Sequence, residues 1–229
     1  MKTKNPFSAL NKFEFTLWIV SFIVVLLSFI FSPATDILTL IASLIGVTSL
    51  IFIAKGMVFG QILIIIFAVL YGIVSWRFAY YGEMLTYICL SLPAAVAALI
   101  SWLKNPYAES AEVKVNKSLT PLHVFLLFLL SVLITVPFYF ILKFLGTANL
   151  IFSTISVTTS FFAASLTFLR SPLYALGYAA NDVVLIVLWA LAAIDDISYL
   201  PMIFCFIMFL VNDLYGYINW RKMEKRQAS

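Results

Sequence analysis

The sequence predicts an all-α integral membrane protein with eight transmembrane helices: one extra N-terminal helix, then two parallel three-helix repeats joined by a linker helix. Three observations carry this expectation. Of the 229 residues, 64% are hydrophobic and 10% charged, whereas soluble domains carry roughly 25% charged residues. Apolar runs recur that are long enough to cross about 30 Å of hydrocarbon. Segments of the two halves of the chain also resemble each other in the same order.

The first run, 14–32, follows the basic start MKTKNPFSALNKFEF. It exceeds a signal-peptide core and no A-x-A-like site follows it, so it reads as a retained helix. The second, 36–54, opens after FSPATD with Pro33; the third, 57–79, follows Lys55 and Gly56; the fourth, 84–103, follows Gly82 and Glu83. Proline, glycine and charge are the expected breakers between helices. KNPYAESAEVKVNKSLTP is the only polar connection of any length, and it leads into a fifth run at 121–145. Runs at 148–169, 172–194 and 198–219 complete the set, with Arg170 and Pro172 of LRSPL at the start of the seventh.

Orientation follows from Lys and Arg, which concentrate on the cytoplasmic side of membrane proteins. With the N-terminus inside, cytoplasmic ends collect Lys2, Lys4, Lys12, Lys55, Lys104, Lys114, Lys117, Arg170, Arg221, Lys222, Lys225 and Arg226, against Arg77 and Lys143 outside. Both termini are therefore expected in the cytoplasm, with Asp36, Glu83, Asp195 and Asp196 at outer ends. The net charge of +4 is a topology signal, and no nucleic-acid partner is expected.

The repeat rests on three matches. GVTSLIFIA in the second helix resembles VTTSFFAAS in the sixth, Trp76 and Trp189 lie near the outer ends of the third and seventh, and ISWLKN at 100–105 matches INWRKM at 218–223. An odd number of crossings plus one linker restores direction, so the repeats run parallel, an arrangement found in transporters with substrate bound between the halves. The resulting division is 1–34 for the N-terminus and extra helix, 35–104 for the first repeat, 105–146 for the loop and linker helix, 147–222 for the second repeat and 223–229 for the tail.

Polar residues at depth are few. Serines and threonines can bond to their own helix, and Cys89 and Cys205 lack metal-ligand spacing and read as packing residues. His123 lies in the first turn of the linker helix and reads as an interfacial contact. Two Asn-Asp pairs differ, Asn181-Asp182 and Asn212-Asp213. An aspartate near the bilayer centre costs about 2.5–3.5 kcal/mol and usually faces a cavity or a partner. Asp182 is roughly 18 Å along its helix from Arg170 at 1.5 Å per residue. Tyr178, Asn181 and Asp182 share one helix face, and Asn212, Tyr215 and Asn219 share another. Carboxylates and amides beside aromatic rings suit a flat, hydroxylated ligand, and a cationic ring is attracted by both. No Lys or Arg lies at depth to neutralise a phosphate. The expected lining is Asn181, Asp182, Asn212, Asp213, Tyr215, Tyr178 and Trp189, with Gln61 and Trp76 from the first half. No catalytic residue, metal or cofactor is expected, and the chain has no phosphate-binding Gly-rich loop of the G-x-x-x-x-G-K-[ST] type.

NDLYGYINW, supported by ANDVVLIVLW and by the three-plus-one-plus-three order of helices, resembles the PnuC family of bacterial vitamin transporters over about 35–223. The resemblance implies a SWEET-like fold in the bacterial cell membrane, import of nicotinamide riboside by facilitated diffusion, a cytoplasmic kinase that traps the product, and a homo-oligomer. Nicotinamide riboside members carry W-x-x-W where this chain has YALG, Tyr174 to Gly177. Thiamine, riboflavin and deoxynucleosides therefore stay open as substrates. Proton coupling through Asp182 and Asp213 is the main alternative mechanism. An aspartyl-protease dyad would call for Tyr-Asp and Gly-x-Gly-Asp sequences, and both aspartates here follow asparagine.

Overall fold

The computed structural model describes residues 5–33, 36–77, 80–108 and 110–228. Among the described residues, eight helices are long and apolar enough to cross a membrane: α1 (Lys12–Ile30), α2 (Ile37–Ala54), α3 (Val58–Arg77), α4 (Tyr81–Leu103), α5 (Pro121–Phe144), α6 (Leu150–Phe168), α7 (Tyr174–Asp195) and α8 (Leu200–Arg226). The described residues hold no strand beyond two isolated bridges. An even number of crossings brings both termini to one end of the bundle, called here the termini end.

Two boundaries depart from the sequence expectation. Helix α4 starts at Tyr81, so Glu83 lies inside its first turn and is 1% exposed, where an outer-end surface charge was expected. Helix α8 continues to Arg226 through the basic cluster. Its extra turns are held because Met223 is buried and Gln227 bridges Val115 N (2.8 Å) and Val113 O (3.1 Å) of the long polar loop. That loop is itself tied down: Val113 N donates to Gly56 O, and Asn116 N to Arg170 O, so it straps two turns to the end of α8.

Within α4, Thr86–Ser91 winds as a π-helix, with Leu92 N donating to Tyr87 O. Pro93 has no N–H to continue the α-helical ladder. Single π turns of this kind commonly mark functional positions.

Helix α1 packs on α2 and α8, and its polar groups explain how. Glu14, 0% exposed, accepts from Asn11 N (2.7 Å), Lys55 Nζ (2.9 Å) and Tyr215 OH (2.7 Å). Trp18 Nε1 donates to Thr48 Oγ1 (3.1 Å), and Asn212 Nδ2 to Ser21 Oγ (2.9 Å). Helix α5 packs along α6, and Thr135 and Thr158 hydroxyls meet at 2.8 Å between them.

Near the termini end, two pairs of contacts mirror each other. Ser101 Oγ and Trp102 Nε1 of α4 donate to Phe168 O (2.8 Å) and Thr167 O (3.0 Å) at the end of α6. Asn219 Nδ2 and Trp220 Nε1 of α8 donate to Ala54 O (2.9 Å) and Ile53 O (2.9 Å) at the end of α2.

Candidate functional site

A central cavity is enclosed by α2, α3, α4, α6, α7 and α8, and no residue of α1 or α5 reaches it. Apolar residues form most of the wall: Leu50 and Ile53 of α2, Ile64 and Phe67 of α3, Ala94, Ala95 and Ala98 of α4, and Phe206 and Phe209 of α8. Small residues on α4 let the opposite wall come close, while rings on α3 and α8 supply flat surfaces.

The polar wall comes chiefly from the second half. Tyr174, Tyr178, Asn181 and Asp182 project from one face of α7, Ser160 and Thr167 from α6, and Asp213 from α8, while the first half adds Gln61, Tyr87 and Ser91. Asn181 is held by two hydroxyls of α6: its Oδ1 accepts from Thr159 Oγ1 (2.8 Å) and Ser160 Oγ (3.0 Å). This commits the amide oxygen to the protein and leaves Nδ2 as its donor. The carboxyl groups of Asp182 and Asp213 face each other across α7 and α8.

Three buried polar atoms of the wall have no hydrogen-bond partner in the structure: Gln61 Nε2, Tyr174 OH and Asp182 Oδ2. Buried polar groups are nearly always paired, because an unmet one costs about 1–3 kcal/mol. Their convergence on one space, with a donor, a hydroxyl and a carboxylate oxygen, is the arrangement of a ligand site. Among the described residues, no Lys, Arg or His lines the cavity.

Aromatic layers close both ends. Away from the termini, Tyr71 packs on Tyr87 (ring centroids 4.4 Å) and accepts from Trp189 Nε1 (3.1 Å), and Trp189 packs on Tyr80 (4.9 Å). Toward the termini, Trp220 packs on Tyr174 (5.0 Å) and Trp102 (5.4 Å). Tyr80 lies between α3 and α4, and burial pushes its hydroxyl up to about 12.

Of the residues expected from sequence to line a site, Gln61, Tyr178, Asn181, Asp182 and Asp213 meet at the cavity. Four do not. Asn212 turns toward Ser21 of α1, and Tyr215 donates to Glu14. Trp189 belongs to the aromatic layer above the cavity, and Trp76 is 62% exposed on the outside of the bundle. The i, i+3 face shared by Asn212 and Tyr215 is real, but it faces α1. The cavity also takes Tyr174, noted in the sequence at the W-x-x-W stretch, the hydroxyls of Ser91, Ser160 and Thr167, which read there as packing, and Tyr87. Tyr87 and Ser91 are spaced i, i+4 ahead of Ala95 and Ala98, a stripe that composition alone cannot separate from ordinary packing.

A family model described as nicotinamide mononucleotide transporter matches residues 36–222. The nicotinamide riboside transporter PnuC of Neisseria mucosa is 31% identical over 232 residues, covering 98% of this chain and 87% of that protein. A solved structure titled as the crystal structure of the vitamin B3 transporter PnuC matches with a TM-score of 0.83 and 29% identity, over 96% of this chain and 94% of that one.

Proposed function

The chain belongs to the nicotinamide mononucleotide transporter (PnuC) family of multi-pass membrane transporters, which are not enzymes, and on that premise we propose that it carries nicotinamide riboside, with the central cavity as its site. The observation that carries this reading is the charge of the wall. Two carboxylates and several hydroxyl-bearing rings face the space, and no cation does. The pyridinium ring of the riboside is a flat cation, attracted to aromatic faces and carboxylates together. A mononucleotide adds a phosphate, which would meet Asp182 and Asp213 without an Arg or Lys to receive it.

Within this reading the Asp182–Asp213 pair offsets the ring charge, Gln61 Nε2 and Asn181 Nδ2 donate to ribose or carboxamide oxygens, and Tyr174, at the first position of the W-x-x-W stretch, flanks the ring together with Tyr178, one residue past its end. Asn212 and Tyr215 act from outside the cavity by holding α8 against α1. The two groups of three helices rock against each other to expose the site alternately. Transport is by facilitated diffusion, with a cytoplasmic kinase trapping the product, in a bacterial cell membrane with both termini inside and the protein assembled as a homo-oligomer.

Titration calorimetry of the purified protein against nicotinamide riboside, its mononucleotide, thiamine, riboflavin and a deoxynucleoside tests the assignment. Saturable binding of the riboside with no heat from the mononucleotide supports it. Saturable binding of thiamine or another vitamin alone reassigns the substrate, and silence across the panel refutes the cavity as a vitamin site.

A further inference from the structure

Besides Asp182, Asp213 and the paired Glu14, one more acid is buried among the described residues, and it lies apart from the cavity. Glu83, 1% exposed, sits in the first turn of α4 at the end of the bundle remote from the termini. Its Oε1 accepts a long hydrogen bond from Ser156 Oγ of α6 (3.4 Å), and its Oε2 has no hydrogen-bond partner. Thr147, in the turn before α6, packs directly on Gly82, and its Oγ1 is also buried without a partner. None of the ion pairs among the described residues involves Glu83.

Helix α3, helix α6 and the turn before α6 present neutral groups, and α5 contributes Leu142 against Gly82, with the following Lys143 exposed. Tyr71 of α3 and Tyr87 of α4 are the titratable groups that face Glu83, and neither bears positive charge in any state. Helix α6 and the preceding turn present hydroxyls. A carboxylate buried without a counter-charge is costly enough that the group takes up a proton or a cation instead. A metal ion would need several oxygen ligands, and the described residues hold no group of three acidic, His or Cys ligands. A carboxyl group with two hydroxyls nearby is a poor cage for an ion and an adequate one for a proton.

The position gives that proton a role. Tyr71 and Tyr87 stack on each other, Tyr87 lines the cavity, and Tyr71 holds Trp189 in the layer that closes the cavity. We propose that Glu83 is a proton-binding site joined to the substrate pathway, and that loss of its proton loosens the packing of α4 on α3 and α6 that closes this end. The neutral acid fits the closed packing, and the anion does not. Higher pH therefore favours opening at this end and lower pH favours closure.

The proton itself can be read without any substrate. In pH-difference infrared spectra of the Asp182→Asn/Asp213→Asn protein, a carboxylic-acid carbonyl band should be present at neutral pH, bleach as pH rises, and vanish when Glu83→Gln is added. A spectrum unchanged by Glu83→Gln overturns the site. Exchange of nicotinamide riboside across proteoliposomes at equal pH on both sides then reads the coupling, and this arm rests on the function proposed above. The native protein should change rate severalfold with pH, Glu83→Gln should be flat, and Ser156→Ala should shift the profile without abolishing it. An identical profile in native and Glu83→Gln proteins, or a dependence on sodium at constant pH, overturns the coupling.

Discussion

Trp102 and Trp220 stand 5.4 Å apart, and each reaches past the other to bond the last turn of a helix in the opposite half of the chain. Trp102 takes Thr167 O of α6 and Trp220 takes Ile53 O of α2, while the preceding residues, Ser101 and Asn219, take the next carbonyl in each case. Ser101 and Asn219 thus supply donors to the helix-end carbonyls Phe168 O and Ala54 O, and the two indoles add a second donor to Thr167 O and Ile53 O, which also accept from Arg170 N and Gly56 N. The matched contacts put equivalent positions of ISWLKN and INWRKM to the same use.

Equal geometry predicts equal cost. Trp102→Phe and Trp220→Phe each remove one indole hydrogen bond from a carbonyl that keeps a backbone donor, Arg170 N at Thr167 O and Gly56 N at Ile53 O, so each should lower stability by about 0.5–1.5 kcal/mol. Because the rings touch, the double variant should deviate from additivity. Thermal unfolding in detergent of the two single variants and the double variant checks this, and a large loss at one tryptophan with none at the other would contradict the equivalence.

The anchoring of α1 makes a separate prediction. Glu14 is buried and gathers Lys55, Tyr215 and the Asn11 amide. Removing one member of a buried ion pair typically costs about 3–5 kcal/mol, and Glu14→Ala should lose stability on that scale. Tyr215→Phe removes a single hydroxyl bonded to a charged group and should cost about 1.5–3 kcal/mol. Both should leave ligand affinity within about twofold, because neither residue touches the cavity. An affinity loss in Tyr215→Phe larger than its stability loss would return Tyr215 to the site.

The two adjacent residues of the last helix separate the roles most sharply. Asp213 faces the cavity and Asn212 faces Ser21. Asp213→Asn keeps the shape and removes the charge, and should weaken nicotinamide riboside at least about tenfold, the equivalent of roughly 1.4 kcal/mol. Asn212→Ala should lower the melting temperature with affinity little changed. Calorimetry and thermal unfolding on the same two preparations decide between these assignments.

The sequence made the helices legible because each apolar run is bounded by Pro, Gly or charge, and the observed elements start and stop within a few residues of those signals, the extended end of α8 apart. The site was legible only in part. Depth along a helix can be counted, so Asp182 and Asp213 stood out as costly and hence purposeful. Facing direction cannot be counted when every side of a helix is apolar. Asn212 and Asp213 differ by one residue and therefore by about 100° around α8, and only the position of α1 reveals which one meets protein and which meets the cavity. Trp76 lies away from the cavity for a related reason: tryptophan near a helix end is equally at home at a membrane interface, and its side chain is exposed.

Charge on the ligand offers the most direct test of the cavity wall. The reduced form of nicotinamide riboside has nearly the shape of the oxidised form and lacks the ring's positive charge. If Asp182 and Asp213 act on that charge, the native protein should bind the oxidised form at least about tenfold more tightly, near 1.4 kcal/mol. Asp213→Asn should weaken the oxidised form and leave the reduced form nearly unchanged, so that the ratio collapses. The four affinities form a cycle in which shape effects cancel and the coupling between one carboxylate and one ring charge remains. A ratio that survives the substitution would mean that Asp213 serves packing between α7 and α8, and that discrimination, if present, comes from the aromatic faces of Tyr174, Tyr178 and Tyr87.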